Sequence, residues 1–273
     1  MTETRQLGVS AEEVKSCCAN VYESDWARLL LGDSFHPGGL ALTERLGELL
    51  GLGPGKRVLD VAAGKGASAV FLAKRFGCEV VGVDYSARNV AQASDTAKAA
   101  GVAELVRFRQ GDVERLPFED GEFYAVVCEC AYCTFPDKAA AAAEFHRVLR
   151  PGGRVGLSDL TRSGGLGTEL QTLLAWVACL ADARPVEEYS FHLRGAGFAE
   201  INIEPHDEAL DQMMRDVRAK LLGAELMAKL GKLTLPVGDL SQAKHMARAA
   251  AKAIDRGNLG YGLILARRAE PDQ

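Results

Sequence analysis

Val58-Leu59-Asp60-Val61-Ala62-Ala63-Gly64-Lys65-Gly66 is an apolar run that ends in small residues just before a helix-forming segment. The run reads as a buried strand, and the small residues as a tight turn into a helix. Such a turn lets backbone come close to a ligand and leaves the amides of a helix N-terminus free to receive polar atoms. Taken alone, it also fits a strand-to-helix turn that binds nothing.

Reading outward, Asp84 ends the next apolar run, Val80-Val81-Gly82-Val83-Asp84, about 20 residues beyond the glycine turn. A carboxylate at that position can accept both hydroxyls of a ribose. Gly111-Asp112-Val113 follows the third run, where Asp112 is placed to accept from an adenine amino group and the Val113 amide to donate to the ring. Three successive strand ends thus point into one crevice. A dinucleotide-binding turn of a dehydrogenase would read G-x-G-x-x-G, whereas this one reads A-A-G-K-G-A.

From about residue 56, β-rich runs alternate with helix-length segments. Strands are expected at RVLDVAA, CEVVGVD, VRFRQGD, YAVVCEC and RVGLSDL, with helices near 67–76, 87–100, 137–149 and 165–182. FAEINIEP reads as a sixth strand and YGLILARR as a seventh, separated by about 50 helical residues (207–257). The alternation predicts an α/β fold, a parallel sheet covered by helices. In the N-terminal region, Ser10 and Glu13 form a capping box that opens a helix to about Tyr22. A second short helix is expected over 24–31, a breaker-rich loop over 32–39, and a third helix over 40–50.

With 273 residues, 48% of them hydrophobic, the chain can bury a large core, and its net charge of -5 leaves no basic stripe to track phosphates. Nucleic acid is therefore not an expected partner, nor is a membrane, because no run of 18 apolar residues occurs. The N-terminus has no basic start followed by an apolar stretch, which predicts a cytoplasmic protein with its seven cysteines mostly reduced.

The turn, the two aspartates, LPFEDGEFYAVVC (116–128) and VLRPGGRVGLSD (148–159) resemble the class I S-adenosylmethionine-dependent methyltransferases over about residues 56–204. Ala62 stands where the family commonly has glycine. The resemblance implies a Rossmann-like three-layer sandwich, with a seven-stranded sheet ordered 3-2-1-4-5-7-6 and strand seven antiparallel. It implies S-adenosyl-L-methionine as cofactor and S-adenosyl-L-homocysteine as product. Residues 1–50 would then be a helical lid, 51–206 the cofactor-binding core, 207–258 a helical insertion or cap, and 259–273 the last strand and tail. The implied cofactor residues are Asp60, Ala62, Ala63, Gly64, Gly66, Asp84, Tyr85, Asp112, Val113, Glu129 and Tyr22. Tyr22 and Trp26, near the N-terminal cysteines, either fold over the cofactor as part of that lid or pack on the core as aromatics of amphipathic helices.

A narrower resemblance, to the arsenite methyltransferases, rests on CECAYCTFPDK (128–138) and AWVACLADA (175–183). It implies Cys130, Cys179 and one of Cys17 or Cys18 as ligands of trivalent arsenic, and a thiol reductant such as glutathione or thioredoxin. Thiolates suit a soft, thiophilic centre, and arsenic held by two or three sulfurs keeps a lone pair that can accept a methyl group. Cys78 and Cys128, on apolar strands, read as core residues. His36 and His146 read as surface or capping residues. Two alternatives stand beside this reading: a C-, S- or O-methyltransferase acting on a quinone, lipid or thiol, and a non-catalytic thiol or zinc protein suggested by Cys128-x-Cys130-x-x-Cys133. A monomer and a homodimer remain equally open.

Overall fold

The computed structural model describes residues 10–23, 36–172, 175–176, 178–230 and 240–270. The helix expected over 24–31, Trp26 and the start of the breaker loop lie outside the described residues.

Ser10 caps α1 (Ala11–Glu23) as a full capping box: its hydroxyl accepts from the Glu13 amide at 3.2 Å, and the Glu13 carboxylate accepts from the Ser10 amide at 2.7 Å. α2 (Gly39–Leu49) leads to β1 (Arg57–Val61), followed by α3 (Ala67–Phe76), β2 (Glu79–Asp84), α4 (Ala87–Ala99), β3 (Val106–Gln110) and β4 (Phe123–Glu129). After β4 come α5 (Lys138–Val148), β5 (Leu149–Arg162), α6 (Val186–Gly195), β6 (Phe198–Pro205), α7 (Asp207–Lys229), α8 (Leu240–Asp255) and β7 (Leu259–Arg268).

The seven strands form one sheet in the order β3-β2-β1-β4-β5-β7-β6. β1 to β5 run parallel, and β7 pairs antiparallel with both β5 and β6. Topology and fold class match the expectation. The strand order reverses between β1 and β4, where Val61 lies beside Cys128. In an open parallel sheet that is where the two adjacent crossovers leave to opposite sides and a crevice opens at the carboxyl ends.

Two apolar layers bury the sheet. Leu59, Val126, Phe145 and Tyr189 belong to one, and Leu46, Leu72, Val80 and Val127 to the other. Cys128 and Cys78 are fully buried in these layers, as their strand positions suggested.

The helix expected over 165–182 is not formed as one piece. The described residues there are a 3-10 turn at Thr168–Leu170, helical residues at 175–176, and a turn in which Cys179 takes the left-handed φ of 63°. Gly164, Gly165 and Gly167 break the segment at its start, and their effect outweighs the helical spacing of the apolar residues that follow.

Candidate functional site

The first wall of the crevice is the glycine turn. Ala62 has φ 57° and Gly64 φ 54°, so the chain doubles back at the end of β1. Gly66, φ 83°, is the N-cap of α3 and stands behind the lining; a Cβ there would lie 2.7 Å from Cζ of Phe108. Gly66 is packed tightly here and does not itself line the crevice. Ala62, Ala63 and Gly64 line the crevice directly.

Asp84, at the end of β2, holds this turn in place. Its carboxylate accepts from the amides of Gly64 (2.8 Å) and Ser86 (2.9 Å) and from the Asn89 side chain (3.2 Å). A carboxylate offers about four acceptor sites, so capacity remains for a ligand hydroxyl. Burial raises its pKa, against the lowering by these hydrogen bonds.

Asp60 and Glu129 face the crevice from β1 and β4. Glu129 accepts from Thr43 (3.0 Å) and Ser68 (2.6 Å), and His36 Nε2 lies 3.5 Å from it. Asp60 is 2% exposed, and its Oδ2 has no hydrogen-bond partner. Burial first, then the charges of Glu129 and Asp84, push its pKa well above the usual carboxylate range. Three acidic groups around an unfilled acceptor make a pocket suited to a cation. S-adenosylmethionine carries a sulfonium and an ammonium, so these residues fit it.

Asp112 and Val113 line the crevice after β3, as expected. Asp112 is already engaged: Lys15 on α1 donates to it at 2.7 Å and to Glu114 at 2.5 Å. Lys15, Cys18, Ala19 and Tyr22 line the crevice together, and their spacing is one face of a helix. Tyr85 hydrogen-bonds Glu12, and Ser86 hydrogen-bonds Glu23, so α1 lies across the ends of β2 and β3, tied at both of its own ends. Cys17 does not line the crevice, whereas Cys18 does. That distinction depends on how α1 is rotated, which spacing alone left open.

The remaining wall carries the thiols. β4 ends at Glu129, and Cys130 turns the chain out of the sheet with φ 50°. Non-glycine residues with positive φ are uncommon and tend to gather at functional sites. Among the described residues they are Ala62, Cys130, Cys179 and Glu200, three of them at this site.

Cys130 lines the crevice, and Cys179 lies just behind it, 2% exposed. In its thiol form Cys179 Sγ donates to the Cys130 carbonyl at 3.1 Å, and the Tyr22 hydroxyl is 3.7 Å away. As a thiolate, Cys179 accepts from the Cys130 and Cys133 thiols. Those bonds, with help from Tyr22 and the Lys138 charge, hold its pKa well below the ordinary thiol value despite burial. The pKa values of Cys130 and Cys133 rise correspondingly, and burial pushes Cys18 up to about 12. Among the described residues, no group of three or more His, Cys, Asp or Glu side chains is arranged to hold a metal ion.

Sequence reasoning missed four participants. Cys133 was visible only as part of a zinc-like spacing. Lys15 carried no motif, and Lys138 was visible only as the last residue of the CECAYCTFPDK stretch, with no role of its own. His36, expected at the surface, is 5% exposed in the crevice wall, where Thr43 on α2 hydrogen-bonds it at 3.3 Å. His146 packs edge-on against Phe198, away from the crevice lining.

The comparisons with known proteins agree with this geometry. Residues 58–153 match a methyltransferase domain model. The chain is 29% identical over 240 residues to an arsenite methyltransferase of Halobacterium salinarum, covering 82% of this chain and 61% of that protein. It thus spans about three fifths of that relative's length. It is 30% identical over 231 residues to 27-O-demethylrifamycin SV methyltransferase of Amycolatopsis mediterranei, covering 83% of this chain and 82% of the other. A phosphoethanolamine N-methyltransferase of Haemonchus contortus, solved with S-adenosylhomocysteine, superposes with a TM-score of 0.78 at 19% identity over 96% of this chain and 61% of that one.

The fold is that of a class I methyltransferase. The chain belongs to the S-adenosylmethionine-dependent methyltransferase family. Among the described residues no helix is long and apolar enough to cross a membrane.

Proposed function

We propose that the chain methylates trivalent arsenic, presented to the cofactor as a thiolate complex. The observation that carries this reading is the meeting of Cys130 and Cys179 from two separate segments, with the Cys179 sulfur 3.1 Å from the Cys130 carbonyl at the edge of the crevice. Cys18, on the crevice face of α1, is the third ligand in this reading and Cys17 its neighbour in reserve.

The cofactor assignments follow the walls of the crevice. Asp84 takes the ribose, Asp112 and Val113 the adenine, and Asp60 and Glu129 the positively charged methionine end. Ala62, Ala63 and Gly64 bring backbone close, Gly66 packs the turn, and Tyr85 and Tyr22 flank the ligand under α1. Residues 1–50 act as the lid, 51–206 as the core, 207–258 as a cap, and 259–273 complete the sheet.

S-adenosylmethionine, when bound, supplies an electrophilic methyl group. The protein positions the acceptor and keeps water away, which is proximity catalysis. Each As–S bond forms as arsenite loses a hydroxyl group and the thiol its proton, the two leaving together as water. Arsenic carries no proton, so its lone pair needs no general base. The As–C bond would form as the sulfonium S–CH3 bond breaks and S-adenosylhomocysteine leaves, which takes arsenic formally from the trivalent to the pentavalent state, and a thiol reductant of the glutathione or thioredoxin type would supply the two electrons that return it.

The test is product analysis by mass spectrometry after incubation with S-adenosylmethionine, glutathione and, separately, arsenite, selenite and small organic thiols. Methylated arsenic is the expected product. If methyl groups reach only the organic acceptors, the arsenic reading is wrong and the chain is a small-molecule methyltransferase of another specificity, as its rifamycin-acting relative is by name.

A further inference from the structure

Lys138 occupies a costly position. It is the first residue of α5, where a positive charge faces the positive end of the helix dipole, and it is only 7% exposed. A buried ammonium at a helix N-terminus opposes helix stability, so another interaction must offset the cost. The ammonium has three hydrogens, and each finds an acceptor. Two are the carbonyl oxygens of Cys133 and Phe135, both at 3.0 Å, on the turn that follows Cys130. The third is the carboxylate of Asp182, 2% exposed, three residues beyond Cys179.

The ammonium therefore bridges the two segments that bring the thiols together. Asp182 is fixed on its other side by Arg184, and Trp176 Nε1 donates to the Thr134 carbonyl at 3.1 Å across the same seam. Of the links that cross between the two segments, Lys138–Asp182 is the one that pairs opposite charges, and it does so in a buried setting, where their attraction is least screened.

We propose that Lys138 is a positioning residue: through Asp182 it sets the distance between Cys130 and Cys179, and thereby lets one thiophilic atom engage both. The proposal deepens the reading of these cysteines as the acceptor's ligands. Its test needs no arsenic, so the two can fail separately.

Wild type, Lys138→Met and Asp182→Asn are treated with dibromobimane, which fluoresces only after joining two thiols, and in parallel with monobromobimane, which labels one. Peptide mapping reads the Cys130–Cys179 cross-link, and calorimetry with S-adenosylmethionine reports whether each variant is folded. Wild type should cross-link. In the variants single labelling of both cysteines should stay within about twofold, while cross-linking should fall roughly tenfold or more, in line with the steep penalty for misplacing a reacting group by about 1 Å.

A variant that binds the cofactor and cross-links at the wild-type rate overturns the proposal. So does loss of cofactor binding in both variants, since the pair would then be holding the fold as a whole. Cross-linking that behaves as expected alongside absent arsenite methylation would leave Lys138 in its role and remove arsenic as the acceptor.

Discussion

The sulfur of Cys179 lies 3.1 Å from the carbonyl oxygen of Cys130, although 49 residues separate them. Both residues hold left-handed backbone, φ 63° and φ 50°, which side chains with a Cβ adopt at a cost. Two strained turns thus meet at one point, and the point adjoins the crevice. Cys130→Ser and Cys179→Ser test what the meeting is for. Oxygen binds soft arsenic poorly, so each change should lower kcat/KM for arsenite by about 100-fold or more, while the calorimetric Kd for S-adenosylmethionine stays within about twofold. Arsenite turnover that survives both substitutions would exclude thiolate ligation.

Asp84 does two things at once: it anchors the glycine turn through the Gly64 amide, and it lines the crevice where the proposed reading puts the cofactor's ribose. Asp84→Asn keeps the shape but loses the negative charge, weakening hydrogen bonds worth about 1.5–3 kcal/mol each when charged. The Kd for S-adenosylmethionine should rise roughly 10- to 100-fold. Gly66→Ala offers the contrast. Its Cβ would meet Phe108 at 2.7 Å and Ala93 at 3.0 Å, and φ 83° is strained for alanine, so the loss should be mainly in stability, on the order of 1–3 kcal/mol. Urea unfolding and calorimetry together separate the two effects.

The sheet was legible because its strands are short apolar runs bounded by glycine and aspartate, and because three strand ends carry polar residues suited to one ligand. Cys130 and Cys179 were legible as candidates through their neighbours in sequence. What escaped reading depends on three dimensions. The segment Leu170–Ala183 has helical apolar spacing, yet Cys179 turns left-handed within it under tertiary constraint. Choosing Cys18 over Cys17 required the rotation of α1, and placing His36 in the crevice wall required its contact with Thr43 on α2. Lys138 closes the CECAYCTFPDK stretch, yet nothing local announces that Asp182 will face it.

Asp159, fully buried within β5, gives the fold a pH signature. Its carboxylate accepts from the Cys133 amide at 2.7 Å and the Leu160 amide at 2.9 Å, but burial and the nearby Cys179 charge push its pKa up to about 7. An acid with a raised folded pKa holds its proton more tightly in the folded state. Its stabilising contribution is full below about pH 4, the unfolded value, and is lost as pH rises to about 7. Wild type should therefore lose stability relative to Asp159→Asn between about pH 4 and pH 7, and the difference should level off above that. Urea unfolding across this range measures it, and a slope of the opposite sign would show that Asp159 is ionised throughout.

Lys15 latches α1 to the far end of the crevice, donating to Asp112 at 2.7 Å and Glu114 at 2.5 Å with only 13% of its side chain exposed. If residues 1–50 act as the proposed lid, cofactor leaving past α1 breaks this latch. An ion pair screened by partial solvent contributes up to about 1 kcal/mol, which corresponds to roughly fivefold in a rate. Lys15→Met should accordingly release S-adenosylhomocysteine about fivefold faster in stopped-flow displacement. The wild-type release rate should also rise with salt, since ions screen the pair, and the variant should lose most of that dependence. Equal release rates at low salt would mean that α1 does not control the exit, and that Lys15 serves only to neutralise Asp112 and Glu114.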